Sequence, residues 1–299
     1  MLLLFRARVA LQMLILAVSL SAPIQAQETP PLDAAPSVAP SPKDRGGATN
    51  AGESSARDAK VGEKLSPADS DAQGDQALAR SIVERADAVR FPTESFQVEV
   101  TVKSRSGDEE LEPRIYRVSS KGNENTIVQT LAPANERGQN MLMRGRDLWI
   151  FMPSVSQPVR LSLSQRLTGQ VANGDLARTN FAGDYVSTLA GSETINGVEY
   201  HVLDLAAAQR GVTYPKVRYW VRKSNMYPYK AEFYSTSDRL LKTCSYEDFK
   251  PLGGRVRPTR LVMKDALKPA DLSVLEYSDL KPVELPDRFF TKDYMKRLD

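Results

Sequence analysis

The stretch from Asn140 to Pro153, in which two short apolar runs flank Gly145-Arg146-Asp147, places the strongest constraint on the fold of this chain. Such runs around a glycine predict a β-hairpin, because glycine reaches the positive φ angles of tight turns. Neither run alternates apolar with polar residues, so both faces of the hairpin are expected to be covered. One cover is the protein core. The other is either a helix, as on an ordinary central strand pair, or a molecule that the protein carries.

The register of the hairpin decides which residues share a face. A two-residue turn pairs Arg144 with Asp147 and places Leu142, Trp149 and Phe151 together. A three-residue turn pairs Arg144 with Leu148. One face of the hairpin then consists of Met141, Met143, Trp149 and Phe151, and the opposite face consists of Leu142, Leu148, Ile150 and Met152. We favour the three-residue turn, because it gives one face without charge.

Trp149 and Phe151 share a face under either register, so they are the first candidates to line a cavity. The hairpin supplies the remaining candidates, which are Met141, Leu142, Met143 and Ile150.

The N-terminal residues predict an export signal. Two arginines precede the apolar run Val9 to Leu20, and Ala26 offers a small residue for cleavage. The run is shorter than the roughly 20 residues that span a bilayer. We therefore expect residues 1–26 to be a cleaved signal peptide, with a retained N-terminal anchor as the alternative. The mature protein is expected to be periplasmic and not itself a lipoprotein, since no cysteine directly follows the cleavage site.

Residues 27–75 are rich in Pro, Ala, Ser and Gly and lack a periodic apolar pattern, which predicts a disordered tether. Residues 76–299 then form the folded domain. It opens with a helix whose N-cap is Asp75 and whose apolar stripe is Leu78, Ile82, Val83, Ala86 and Val89.

Strand patterns dominate the rest of the domain. Phe96 to Lys103 alternates apolar and polar residues with a period of two. Further strands are predicted at 115–118, 126–129, 159–163, 200–205, 217–221, 229–234, 240–249, 256–263 and 272–280. Short turns between neighbours predict one large antiparallel sheet with helices over one face.

A long segment from Ser164 to Leu189 interrupts the strands and contains Gly169, Gly174 and Gly183. Long inserted segments are usually functional or mobile, so this one is either a lid or an ordinary crossover. The lid candidates are Leu176, Phe181 and Tyr185.

Residues suited to catalysis are sparse. The chain has one histidine, His201, and one cysteine, Cys244, which is expected to be a buried thiol. Metal sites need clustered ligands, and serine nucleophiles need a base, so neither a metal site nor an enzyme is predicted.

The net charge of +3 is small, and the export signal argues against nucleic acid as a partner. A basic cluster of Arg255, Arg257, Arg260 and Lys264, near Lys216, Arg218 and Arg222, is either a docking patch or a solvated sheet face.

Several of these residues carry a family resemblance. Leu148 to Pro153, followed by Val159-Arg160-Leu161-Ser162, resembles the LWxYxP…VxRLS stretch of the LolA/LolB-like superfamily of outer-membrane lipoprotein-sorting proteins. The segment from Asn173 to Tyr185 is similar to the GSDFxxxDL segment of a branch associated with RND-type (MMPL) transporters, although it is spread over more residues. Leu285 to Thr291 also looks familial, and the resemblance covers roughly residues 77–298.

The resemblance implies an incomplete β-barrel, a strongly curved antiparallel sheet covered by helices, whose concave side holds acyl chains without catalysis or a cofactor. The first hypothesis is therefore a periplasmic carrier of a lipid or lipoprotein, expected to be a monomer. The second is a module that docks to an RND/MMPL-type transporter and carries no lipid. The third is an enzyme that acts on an envelope lipid.

Overall fold

The computed structural model describes residues 67–178 and 180–298, with side chains from residue 73. The predicted signal peptide and residues 27–66 of the predicted tether lie outside the described residues. None of the described helices has both the length and the apolar character needed to cross a membrane.

The first helix, α1, spans Pro67–Arg90 and begins eight residues before the predicted N-cap Asp75. Its buried apolar stripe consists of Ala79, Ile82, Val83 and Ala86. Leu78, which we placed in the stripe, is 48% exposed. The helix ends before Pro92, whose ring disfavours helical φ and ψ in the preceding residue.

Most of the remaining residues form strands. The strands are β1 Phe96–Ser106, β2 Glu109–Glu110, β3 Arg114–Lys121, β4 Asn125–Ala132, β5 Asn140–Arg144, β6 Asp147–Phe151, β7 Val159–Leu161, β8 Arg166–Thr168, β9 Val171–Ala172, β10 Tyr185–Ile195, β11 Val198–Ala207, β12 Lys216–Arg222, β13 Pro228–Tyr234, β14 Leu240–Leu252, β15 Arg255–Asp265 and β16 Leu272–Pro282. Three short α-helices, α2 Asn173–Ala177, α3 Phe181–Asp184 and α4 Lys292–Met295, and two 3₁₀ turns, Ala134–Glu136 and Asp287–Phe289, complete the fold.

The main sheet has 14 strands in the order β10-β11-β12-β13-β14-β15-β16-β1-β3-β4-β5-β6-β7, with β2 paired to β1. All of its pairs are antiparallel, and β1 joins the two meanders by pairing with β16 and β3. β1 takes this central place because Phe96, Val98, Val100 and Val102 alternate along one buried face. The sheet is curved and not closed, since its path ends at β10 and β7. The predicted LolA-like incomplete barrel is therefore confirmed.

The sequence pattern missed β10, which occupies part of the segment that we had assigned to an insertion. Its burial alternates over the first eight residues, but most of its residues are small or polar, so its sequence does not show the alternation as apolar and polar residues. This composition suits an edge strand with a solvated face, and it carries little of the apolar alternation from which strands are recognised.

The central hairpin forms, but the register that we favoured is wrong. Arg144 pairs with Asp147 across a two-residue turn, and Gly145 has a φ of 58°. Glycine at the first central position suits a type II′ turn, which matches the twist of the flanking strands. The criterion of a charge-free face did not discriminate, because the observed register also gives one: Met141, Met143, Leu148 and Ile150.

Apolar residues gather on both faces of this hairpin. The inner cluster combines the α1 stripe with inward residues of the strands and includes Met143, Leu148, Leu176, Phe181 and Tyr219. The outer cluster is smaller and consists of Ile127, Leu142, Leu285, Phe290 and Met295. Both faces are therefore covered by the protein itself.

Candidate functional site

The space on the inner side of the curved sheet is the candidate site. It is covered by α1 and by residues 164–178 and 180–184. These residues form the small β8–β9 sheet, α2 and α3 and are here called the lid segment. α1 and α3 contact β10, whereas α2 contacts β4 and β5, so α1 and the lid segment together reach both halves of the sheet. Only about 10 Å³ of empty space remains beside Phe91, Val98, Leu176 and Tyr277. Such a volume holds about one water molecule, whereas ligand pockets occupy roughly 300–1,000 Å³. The described state is therefore closed.

The hairpin places three of its six candidate residues toward this inner space. Met141 and Met143 belong to the inner cluster, and Ile150 packs against it. Their role in binding a lipid stays a prediction.

Leu142, Trp149 and Phe151 lie on the opposite face, so placing Trp149 and Phe151 first among the cavity residues was a misassignment. The physical reason is a cover that the sequence did not reveal, formed by residues 283–298. Leu285, Phe290 and Met295 of this C-terminal cover pack on the outer face of the hairpin.

Polar contacts fix the C-terminal cover in place. The Nζ atom of Lys292 lies 4.3 Å above the ring of Trp149, which is a cation–π contact. The buried amide of Asn140 donates to the carbonyl oxygens of Met295 and Leu298, at 3.2 and 2.7 Å. The family-like residues Leu285 to Thr291 thus form part of an outer cover of the sheet.

The three lid candidates are buried in the inner cluster. Leu176 lies in α2, Phe181 in α3, and Tyr185 is the first residue of β10 rather than part of a loop. The ring of Phe181 contacts the rings of Tyr185 and Tyr219 edge to face, at centroid distances of 5.6 and 5.4 Å. Their apolar faces therefore close the inner space, while movement of the lid stays a prediction.

A buried ion pair attaches the lid segment to the turn of the central hairpin. Arg178 binds Asp184 through two hydrogen bonds of 2.6 and 2.8 Å, and its Nη1 donates to the carbonyl oxygen of Gly145 at 2.9 Å. Arg146 donates to the same Asp184 carboxylate at 2.9 Å. The side chains of Arg178 and Asp184 are 3% and 7% exposed. Removal of one partner would leave a buried charge, so this clamp resists local opening.

A second group of polar contacts holds the start of the lid segment. Asp175 accepts hydrogen bonds from the backbone N–H of Ala172 at 2.8 Å and from the hydroxyl of Tyr214 at 2.8 and 2.9 Å. Burial raises the pKa of the Asp175 carboxyl above its ordinary value. Lys242 donates to the carbonyl oxygen of Gln170.

Glycine is required at two places in the lid segment because the backbone approaches other side chains closely. A Cβ atom at Gly169, whose φ is +49°, would lie 2.2 Å from the Oγ of Ser104 and 2.3 Å from the Oγ of Ser273. A Cβ atom at Gly174 would lie 1.9 Å from the Oγ1 of Thr213. These glycines let the lid segment seat tightly on the sheet.

The third polar group joins α1 to the lid segment. Asp87 accepts a hydrogen bond from the backbone N–H of Ala182 at 2.8 Å and another from Nη1 of Arg90 at 3.1 Å. Burial raises the pKa of Asp87 to about 6, against the opposing effect of Arg90. The guanidinium of Arg90 lies 4.3 Å from the ring centroid of Phe181. A carboxylate and an arginine thus meet the apolar surface of the lid inside the sheet.

Other polar residues singled out from the sequence have ordinary structural surroundings. Burial raises the pKa of the Cys244 thiol, which lies on β14 inside the inner cluster. His201 is partly exposed on β11, and burial lowers its pKa. No group of three or more His, Cys, Asp or Glu residues within the described ranges is placed to hold a metal ion.

The basic cluster does not form a single exposed patch. Arg257 is buried and donates to the carbonyl oxygens of Ala88 and Val89 at the end of α1, at 2.9 and 3.0 Å. Arg260 pairs with Glu247, and Arg218 pairs with Asp204.

Sequence reasoning missed Asp87, Arg90 and Arg178, and it assigned Asp184 only to the family-like segment without a role. Charged side chains are usually solvated, and only the partners of these four residues in the folded protein show that they are buried. The sequence did contain one signal of burial. Arg90 has the helical spacing that places it on the same stripe as Ala79 and Ala86, which are buried.

Comparison with known proteins places this geometry in a family. Residues 122–297 match a family described as "Uncharacterized protein". No curated protein sequence gives a significant match. A crystal structure of a LolA superfamily protein from Nitrosomonas europaea is 59% identical, with a TM-score of 0.70, and the match covers 72% of this chain and 98% of that one.

Two more distant structures share the fold. A putative outer membrane lipoprotein-sorting protein domain from Vibrio parahaemolyticus is 21% identical, with a TM-score of 0.65, over 74% of this chain and 100% of that one. A DUF1329 family protein from Desulfovibrio piger is 21% identical, with a TM-score of 0.64, over 74% of this chain and 99% of that one. The open curved sheet, its two covers and the 59% identity together establish that this chain belongs to the LolA superfamily.

Proposed function

We propose that this protein is an exported, periplasmic carrier that holds the acyl chains of a lipid or lipoprotein on the inner side of its curved sheet. The observation that carries the proposal is the hairpin's charge-free inner face, Met141, Met143, Leu148 and Ile150, beneath a lid attached by buried polar contacts. Membership of the LolA superfamily supports it, as does the fold shared with a putative lipoprotein-sorting domain. The function needs no catalysis.

Opening is a required step of this proposal, since about 10 Å³ does not admit an acyl chain. The lid segment is the element that moves, because Asp184, Asp175 and Asp87 hold it through polar contacts that water can replace. Each buried methylene then contributes about 0.8 kcal/mol, so two C16 chains gain on the order of 25 kcal/mol in gross transfer. Such a gain is large enough to offset displacement of the lid and to compete with a bilayer.

A second candidate is a module that docks to an inner-membrane transporter of the RND/MMPL type and carries no lipid. The filled inner space of the closed state favours this alternative. For a carrier, the same kind of transporter is a proposed partner that loads or receives the cargo.

Extraction of bound lipid separates the two candidates. The protein is purified from the periplasmic fraction, extracted with organic solvent and analysed by mass spectrometry. A carrier yields stoichiometric lipid or takes up lipid from vesicles after delipidation. A protein that holds no lipid and takes up none is a docking module. N-terminal sequencing of the same sample tests cleavage after Ala26.

A further inference from the structure

Arg90 is an unusual residue for a space that holds only apolar chains. Its side chain is 7% exposed and points among the residues of the inner cluster. Nη1 donates to Asp87, whereas buried Nε has no hydrogen-bond partner among the described residues. An unpaired buried donor costs free energy comparable to a lost hydrogen bond. A carrier of uncharged acyl chains alone would gain nothing from this arrangement.

Tyrosines from three strands surround the same place. The ring centroid of Tyr246 lies 5.7 Å from the guanidinium carbon of Arg90, and the rings of Tyr219 and Tyr246 are 6.0 Å apart. Tyr277 contacts Phe91, the residue after Arg90, with centroids 5.4 Å apart. The buried hydroxyl of Tyr219 faces Tyr246 without a hydrogen bond of normal geometry to any described residue. Burial raises the pKa of all three tyrosines, so their hydroxyls stay protonated and able to donate.

The lid segment covers this group of donors. The ring of Phe181 lies against the guanidinium of Arg90, and the backbone N–H of Ala182 is bound to Asp87. Lid movement therefore uncovers one face of Arg90 and frees Asp87 from one of its partners. Tyr277 also borders the small empty space that remains in the closed state. Phe91, the residue after Arg90, borders the same space.

We propose that Arg90, together with the hydroxyl of Tyr219, binds the anionic head group of an acyl-chain lipid that enters the inner space with its head group inward. The inference rests on the proposed carrier function and narrows its cargo. Guanidinium suits a carboxylate or a phosphate, because its planar fork donates two parallel hydrogen bonds to either. In the closed state Asp87 fills the position of the anion. On loading, the head group replaces Asp87 as the partner of Arg90, while the carboxylate of Asp87 stays on α1 and loses its contact with Ala182 as the lid segment moves.

Paired probes test the inference on the purified, delipidated full chain. cis-Parinaric acid and its methyl ester share one fluorescent chain and differ in the charge of the head group. We expect the acid to bind at least about tenfold more tightly, since hydrogen bonds to charged groups are worth about 1.5–3 kcal/mol. Equal affinities would overturn the head-group inference and leave the carrier function standing. Binding of neither probe would count against the carrier function itself.

Variants assign the effect to Arg90. Arg90→Met is expected to reduce the ratio of acid to ester affinity to about one while ester binding persists. Arg257→Met is the matched control, because Arg257 is also a buried arginine, also has a buried Nε without a described partner, and holds the end of α1 instead. It should leave the ratio unchanged. A ratio that survives in a folded Arg90→Met protein would overturn the assignment. If Arg90→Met does not fold, Arg90→Lys and Tyr219→Phe replace it, and each should lower the ratio.

Competition identifies the source of the head group. Palmitate, dipalmitoyl phosphatidic acid and dipalmitoylglycerol are each used to displace bound parinaric acid. Preferential displacement by palmitate identifies a fatty acid as cargo, and preferential displacement by phosphatidic acid identifies an acidic phospholipid. Displacement by dipalmitoylglycerol as effective as that by both acidic lipids would overturn the proposal.

Discussion

The two covers of the curved sheet are held by different kinds of contact. The C-terminal cover packs Leu285, Phe290 and Met295 on the outer face and has one buried side-chain amide, Asn140, as its polar anchor. The inner covers also pack apolar residues, but they bury charged groups, including Asp87, Arg90, Arg178 and Asp184. A buried ion pair adds little net stability compared with apolar packing. Removal of one partner is nevertheless costly, because the other charge is left buried and unpaired. The outer cover is thus held almost entirely by apolar packing, whereas the inner covers are held in part by buried charges, and the proposed carrier function requires the lid segment to open.

The largest expected effect concerns the Arg178–Asp184 clamp. Asp184→Ala leaves two arginines without their carboxylate, one of them fully buried, and should lower the free energy of unfolding by about 3–5 kcal/mol. Asp204→Ala is the matched control. Asp204 binds Arg218 with the same two-bond geometry, at 2.7 and 2.9 Å, but the side chains are 46% and 45% exposed. The control should lose less than about 1 kcal/mol. If urea denaturation gives similar losses of unfolding free energy for Asp184→Ala and Asp204→Ala, the predicted difference between the buried and the exposed ion pair is contradicted.

The next effect concerns the outer cover. Phe290→Ala removes a buried ring from the outer cluster and should cost about 3 kcal/mol. Hydrogen exchange should accelerate in residues 283–298 and remain unchanged in α2 and α3. Phe289→Ala, at the neighbouring and partly exposed ring, should have a smaller effect. Equal acceleration in the lid segment would show that the two covers are one cooperative unit.

A smaller effect depends on pH and concerns Asp87. Its pKa is about 6 in the folded protein, against an ordinary value of 3.8, because burial disfavours the charged carboxylate. A raised carboxyl pKa means that the folded state binds more protons. Its contribution to stability is therefore complete below about pH 4 and is lost as the pH rises through 6, with a maximum of about 3 kcal/mol. Unfolding free energies of the wild type minus those of Asp87→Asn should fall between pH 4 and 7. A difference that rises instead would contradict the assignment.

The same reasoning applies to the closed lid. An opened lid exposes Asp87 to water and returns its pKa toward the ordinary value, so protons favour the closed state. Lipid uptake from vesicles should accordingly be slower at pH 5 than at pH 7 in the wild type. Asp87→Asn should remove this dependence on pH.

Local sequence patterns predicted much of the sheet, because alternation and turn residues act over short distances. Phe96 to Lys103 appeared as a strand, and Asn196-Gly197 forms the turn between β10 and β11 with positive φ at both residues. β10 was not predicted, because an edge strand needs little apolar surface and its sequence therefore shows little apolar alternation. The hairpin was recognised, but its register depends on turn geometry as well as on hydrophobic pattern.

The candidate site was predicted less well, because long-range contacts determine it. Trp149 and Phe151 are large apolar residues of the kind that line cavities. The C-terminal cover, more than 130 residues later along the chain, nevertheless packs on them. Arg90 resembles a surface charge until the lid segment packs on it, and Asp184 until the lid segment packs on the sheet. Burial of a charge depends on tertiary packing, which a local pattern does not encode.

The central claim is that cargo lies on the inner face of the hairpin, and one pair of neighbouring residues tests it most directly. Ile150 points toward the inner cluster and Phe151 toward the outer cluster, and both are partly buried. Each is changed to Asp, and lipid per protein is measured by mass spectrometry, with circular dichroism to confirm folding. An unpaired carboxylate beside acyl chains is costly, so Ile150→Asp should lose most of its lipid, whereas Phe151→Asp should retain it while its C-terminal cover loosens. Retained lipid in folded Ile150→Asp together with lost lipid in Phe151→Asp would place the cargo on the outer face and contradict the account.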